Sequence, residues 1–144
     1  MGKIKKSIEM EASPEKVFTY MISESMNEAW KEWVTAKWTS DGPTGVGSTA
    51  HFVGAGTTGE WDMDVTEFVK NKKMAMRTIG ASKIKMTSSI TLEPTAKGTT
   101  VTYSVDYKLP YSVLGKLLDK LKVSKDMEKQ NTKMLENTKK ALEA

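Results

Sequence analysis

The sequence predicts an α+β domain in which a curved, seven-stranded antiparallel sheet grips one long C-terminal helix. Three observations predict it. The chain opens on an alternating apolar segment, its middle alternates with period two from Val34 to Leu109, and the stretch after Pro110 recurs with helical period. Strands joined by short turns must run antiparallel, and a sheet with one long terminal helix buries both apolar faces only by wrapping around it. A curved sheet and a cylinder do not fill all the space between them, so a cavity is expected there.

Each element has its own signal. Ile4, Ile8 and Met10 share one face of the first segment, with Lys5, Ser7, Glu9 and Glu11 on the other, the pattern of a half-buried strand. Ser13, Pro14 and Glu15 then supply an N-cap, a proline at the first helical position and an acid in the first turn. Val17, Phe18, Met21 and Ile22 form the inner stripe of that helix, and a second short helix is expected to carry Met26, Trp30 and Trp33. Val34, Ala36 and Trp38 alternate with Thr35, Lys37 and Thr39, and glycines 42, 45 and 47 turn the chain into a strand around Ala50 to Val53. In the following strand Trp61, Met63 and Val65 oppose Glu60, Asp62 and Asp64. Asn71 and Lys72 mark a hairpin, after which Met74 and Met76 continue the inner face while Arg77 points outward by parity. Ile84, Met86, Ser88, Ile90 and Leu92 form the sixth strand; Lys97 and Gly98 turn it; Val101, Tyr103, Val105, Tyr107 and Leu109 form the seventh.

The final helix is predicted from Tyr111 to Leu142, roughly 45 Å long, with drift in its stripe near Val123 and Ser124 that predicts a bend. Leu117, Leu118, Leu121 and Met134 are expected to be buried, and Lys116, Lys120, Lys129 and Lys140 exposed.

Composition narrows the class. The 144 residues fit a single domain spanning 1–144, and 38% hydrophobic with 28% charged residues is ordinary for a globular protein. No apolar run approaches the roughly 18 residues of a membrane span, and the basic N-terminus lacks the apolar segment of a signal peptide, so a cytoplasmic protein without integral membrane association is expected. Zero cysteines exclude disulfides, thiolate catalysis and cysteine-based zinc sites. The net charge is +4, yet Arg77 is the only arginine, which argues for lysine solvation and against nucleic-acid readout.

The order of elements and the residues that mark it resemble the START-related helix-grip superfamily, SRPBCC. The points of contact are residues 12–18 (ASPEKVF) at the first strand-to-helix junction, 45–48 (GVGS) before the third strand, 61–68 (WDMDVTEF) on the fourth, and the leucine-rich final helix. The likeness covers essentially the whole chain and is nearest to small members of the polyketide cyclase/dehydrase-like or carbon-monoxide-dehydrogenase-subunit-like kind. It implies a binder or carrier of a hydrophobic small molecule or lipid. Alternatives within the same superfamily are a polyketide cyclase/dehydratase-like enzyme and an interaction module assisting a chaperone or metalloenzyme. Fold alone does not choose among them.

The candidate site residues come from the inner faces. Ten methionines is a high count, and Met10, Met63, Met74, Met76, Met86, Met127 and Met134 fall on inner positions, where flexible thioethers suit an adaptable apolar lining or fill an irregular core. A ligand cavity is expected between sheet and helix, bounded by Trp38, Trp61, Met63, Met76, Met86, Tyr103, Met127 and Asn131, with Tyr103 and Asn131 orienting the ligand. Trp30 and Trp33 would stand at its mouth or form a packing stripe.

Other motifs point away from cofactors. Gly54, Gly56 and Gly59 match G-x-G-x-x-G, but the chain then enters a strand, whereas pyrophosphate binding needs a helix N-terminus. The sole histidine, His51, lacks the ligand set of a metal site, and the acids Glu60, Asp62 and Asp64 are expected to be solvated or paired with Lys73, Lys83 or Arg77. No cofactor is expected. The inner stripes offer only tyrosines as titratable groups, which weakens the enzyme reading, although a cyclase could work largely by shaping a reactive chain.

Overall fold

The computed structural model describes residues 2–55, 59–80, 85–108 and 117–143, with the side chains of the last segment from 124 onward. Its strands are β1 (Gly2–Met10), β2 (Val34–Trp38), β3 (Thr49–Gly54), β4 (Glu60–Val69), β5 (Lys73–Ile79), β6 (Lys85–Pro94) and β7 (Thr99–Lys108). They form one antiparallel sheet in the order β1-β7-β6-β5-β4-β3-β2, so only the β1–β7 pairing joins strands distant in sequence. Helices α1 (Pro14–Met21) and α2 (Met26–Trp30) follow β1, and α3 (Leu117–Glu143) ends the chain. This is the α+β helix-grip architecture.

Local chemistry sets the element boundaries. Ser13 Oγ accepts from the Lys16 amide at 3.2 Å and caps α1 behind Pro14. Lys31 takes a positive φ of 57° with ψ −138°, outside the helical region, and stops α2 at Trp30. Trp33 therefore lies beyond the helix expected to carry it. Asn71, at φ 63°, makes the tight β4–β5 hairpin.

Strand β4 departs from strict alternation. Val65 pairs with Met76 and Glu67 with Ala75, so Thr66 is an extra residue, a bulge that bends the strand. It also resets the faces. Phe68 returns to the interior and meets Phe18 of α1 edge-on at 5.4 Å.

Both edges of the sheet are covered. The Asn27 amide mimics a neighbouring strand at β2, its Nδ2 donating to the Ala36 carbonyl at 3.0 Å and its Oδ1 accepting from the Ala36 amide at 2.8 Å. At β1, Lys139 Nζ donates to the Glu9 carbonyl at 3.1 Å, the Glu11 amide donates to Glu143 Oε2 at 2.7 Å, and Lys6 pairs with Glu128 at 2.6 Å. Thus α3 spans from β1 to α2, where Asn137 Nδ2 donates to the Ala29 carbonyl at 3.0 Å.

Helix α3 runs unbroken through Val123 and Ser124. Met134 is buried, and Lys129 and Lys140 are exposed. The expectations for Leu117, Leu118, Leu121, Lys116 and Lys120, and for the segment from Tyr111, lie outside the described residues or side chains, as do Ile84 and Leu109. No described helix is long and apolar enough to cross a membrane.

Candidate functional site

The concave face is filled at one end and hollow at the other. Met10, Val17, Val101, Thr99, Met134 and Thr138 are fully buried at the filled end. The hollow end is a cavity of about 350 Å³ between the sheet, α2 and α3, within the range of small-molecule sites.

All eight residues singled out in the sequence line this cavity: Trp38, Trp61, Met63, Met76, Met86, Tyr103, Met127 and Asn131. Period two brings the strand residues onto one face, and the helical period brings Met127 and Asn131 opposite them. Trp30 and Trp33 line it as well. Met10 and Met134 do not; they belong to the filled core. Sequence reasoning missed Phe52, Met26 and Gln130, which also line the space. Phe52 was findable, since it shares parity with Ala50 and stands opposite Trp61, on which it stacks at 5.7 Å with the planes 3° apart.

The polar groups of the lining divide into used and unused. Trp38 Nε1 donates to the Ile22 carbonyl at 2.9 Å, so this indole ties β2 to the end of α1. Tyr103 meets Trp30 edge-on at 6.0 Å. Burial pushes its phenol well above the ordinary value of 10.0, against a smaller opposing effect of a hydrogen bond with Ser88, so the hydroxyl stays protonated. Trp61 Nε1 and Asn131 Nδ2 are buried and have no hydrogen-bond partner among the described residues.

Charge is confined to the rim. Among the described lining residues only Glu24, Lys37 and Asp126 are charged, and all three are exposed. The enclosed wall thus carries no acid–base pair among the described residues, and its one titratable class is the phenol.

The convex face corrects one expectation. Among the described residues Glu60 and Asp62 pair with neither a lysine nor Arg77; both engage His51, whose Nε2 lies 2.8 Å from Glu60 Oε1 and whose Nδ1 lies 2.8 Å from Asp62 Oδ1. The cause is register, because His51 stands directly opposite Asp62. Asp64 does pair with Arg77, at 3.1 Å, while Lys73 takes Glu67, and Lys83 lies outside the described residues. Among the described residues no three His, Cys, Asp or Glu side chains are arranged to hold a metal ion. The glycine pattern joins two strands, with the Gly54 amide donating to the Gly59 carbonyl at 2.8 Å; residues 56–58 lie outside the described residues.

Comparison with known proteins places this geometry in a family. Residues 1–143 match the family model described as polyketide cyclase / dehydrase and lipid transport. No curated protein matches the chain. Among solved structures, a protein of Thermus thermophilus is similar at 18% identity and TM-score 0.81, over 98% of this chain and 97% of that one. The di-domain ARO/CYC StfQ from the steffimycin biosynthetic pathway is similar at 13% identity and TM-score 0.78, over 98% of this chain and 50% of that one. The Aha1 dimer of Colwellia psychrerythraea is similar at 21% identity and TM-score 0.69, over 99% and 96% of the two chains. The chain belongs to the polyketide cyclase/dehydrase and lipid transport family, and these structural likenesses show its fold.

Proposed function

We propose that this family member binds and carries a hydrophobic small molecule or lipid in the cavity between its sheet and α3, without chemistry of its own. The observation that carries this reading is the cavity itself: about 350 Å³, walled largely by tryptophan, methionine and other apolar side chains, with charge only at its rim. Methionines from both layers, Met63, Met74, Met76 and Met86 on the sheet and Met127 on α3, give walls that can adapt to a ligand's shape. A catalytic reading would need a titratable group aimed at the ligand and poised near neutrality. The described enclosed wall offers the phenols of Tyr103 and Tyr107, and burial holds that of Tyr103 protonated.

Native mass spectrometry of the protein purified from its source should show a retained apolar ligand, and a planar aromatic probe should quench tryptophan fluorescence with micromolar-order affinity and raise the melting temperature. Met86→Trp places a large ring in the cavity and should abolish probe binding while the domain still folds. If that variant unfolds and the wild type ignores a broad panel of apolar probes, the interior is a packed core and the carrier reading fails.

A further inference from the structure

Two walls of the cavity each hold a buried donor with nothing to donate to. Trp61 on β4 is 7% exposed and Asn131 on α3 is 4% exposed, and neither Trp61 Nε1 nor Asn131 Nδ2 has an acceptor among the described residues. Native interiors rarely leave a buried donor unpaired, because its hydration is lost with nothing in return. Trp38 Nε1, by contrast, is held by the Ile22 carbonyl. The buried side-chain polar atoms of the described lining that lack a partner are thus both donors, and what they call for is an acceptor.

The wall also sets the charge that the acceptor can carry. A carboxylate would need a cation or several donors close by to offset its desolvation. The charged lining residues among those described are Glu24, Lys37 and Asp126, all exposed, and two of the three are acids. A hydroxyl would bring a donor of its own. A carbonyl oxygen accepts two hydrogen bonds and brings neither charge nor donor.

We propose that the ligand of this cavity is an apolar molecule whose buried polar group is a neutral carbonyl oxygen, a ketone, ester or quinone, accepting from Asn131 Nδ2, from Trp61 Nε1, or from both. Free fatty acids and hydrocarbons are then the poorer classes. This inference rests on the carrier reading above and adds the chemical class of the cargo.

Three probes built on one ring system test it: fluorene, 9-fluorenone and fluorene-9-carboxylate, titrated by calorimetry. Fluorenone should bind about tenfold more tightly than fluorene, with the carboxylate weakest. Asn131→Leu and Trp61→Phe should each reduce the ratio of fluorenone to fluorene affinity several-fold, and the double variant should erase it. The free Asn131→Leu protein should melt no lower than wild type, because it has lost an unpaired donor. A lower melting temperature with the preference intact would make Asn131 a structural residue and overturn the proposal. Equal binding of fluorene and fluorenone leaves the carrier reading standing and removes this inference alone. Tightest binding of the carboxylate replaces the carbonyl with an anion. Binding of none of the three removes the carrier reading and this inference with it.

Discussion

Along one helix the same sheet builds two different interiors. From Met134 to Thr138, α3 packs close to β1, α1 and α2, and Met10, Val17, Val101 and Met134 are wholly buried. One or two turns earlier, at Met127 and Asn131, the facing strand residues stand back and leave the cavity. The difference lies less in composition than in what fills the gap. At the filled end α1 drives Val17 and Phe18 between sheet and helix, and the bulge at Thr66 brings Phe68 to meet them. At the hollow end the short α2 stops at Lys31 and leaves Met26, Trp30 and Trp33 on the cavity wall. A short plug thus sets how much of the grip is core and how much is free to hold a ligand.

The largest expected effect tests that division directly. Met134→Ala should destabilise the domain by about 2–5 kcal/mol in denaturant unfolding, since it opens a void in close-packed surroundings. Met86→Ala, a truncation into existing space, should cost under about 1 kcal/mol. Equal losses at the two positions would mean that the interior is uniform and that the cavity collapses in solution.

The same division separates what was legible in the sequence from what was not. Period two and period 3.6 give the face of every residue, so they brought Trp38, Trp61, Met63, Met76, Met86, Tyr103, Met127 and Asn131 to one lining. Periodicity says nothing of depth along the groove. Met10 and Met134 carry the same signal as Met63 and Met127, and their place at the filled end is set by how α1 docks. Phe68 also escapes, because an extra residue at Thr66 reverses the parity of the residues after it and no local signal marks the bulge. Nor does periodicity place His51 among its partners; that depends on the β3–β4 register, a pairing between strands and not a pattern within one.

An intermediate effect sharpens the filled end. Gly98, in the β6–β7 turn, lies against the Met10 carbonyl and the backbone of Ala12, where a Cβ has no room, and the adjacent Thr99 hydroxyl donates to the Ala12 carbonyl at 2.8 Å. The turn is thereby stapled to the corner from which α1 departs. Gly98→Ala should force the two backbones apart and cost about 1–3 kcal/mol. It should also loosen α1, which amide exchange would report as reduced protection of Val17 to Met21. Unchanged protection with lowered global stability would separate the turn from the plug.

The smallest effect belongs to the convex side of the hollow end. Behind Trp61 and Phe52, whose inner face borders the cavity, His51 joins Glu60 and Asp62 across β3 and β4 at 2.8 Å each. Hydrogen bonds first to Glu60 and then to Asp62 raise its imidazole above the ordinary 6.5, so both ring nitrogens donate and the charged form is favoured. A raised value in the folded state means that the contribution is complete below the unfolded value near 6.5 and is lost as pH rises through the folded one. The cluster is open to solvent, so salt screens it and the effect on global stability is slight. As the sole histidine, His51 gives one resolvable imidazole signal. Its NMR titration midpoint should lie above 6.5 and fall when Glu60→Gln is introduced, more than with Asp62→Asn. Because the clamp holds β3 to β4 behind the cavity, deprotonation should increase amide exchange at Phe52 and Trp61 while leaving Val101 and Met134 unmoved. An equal response at both ends would show that the two interiors are mechanically one.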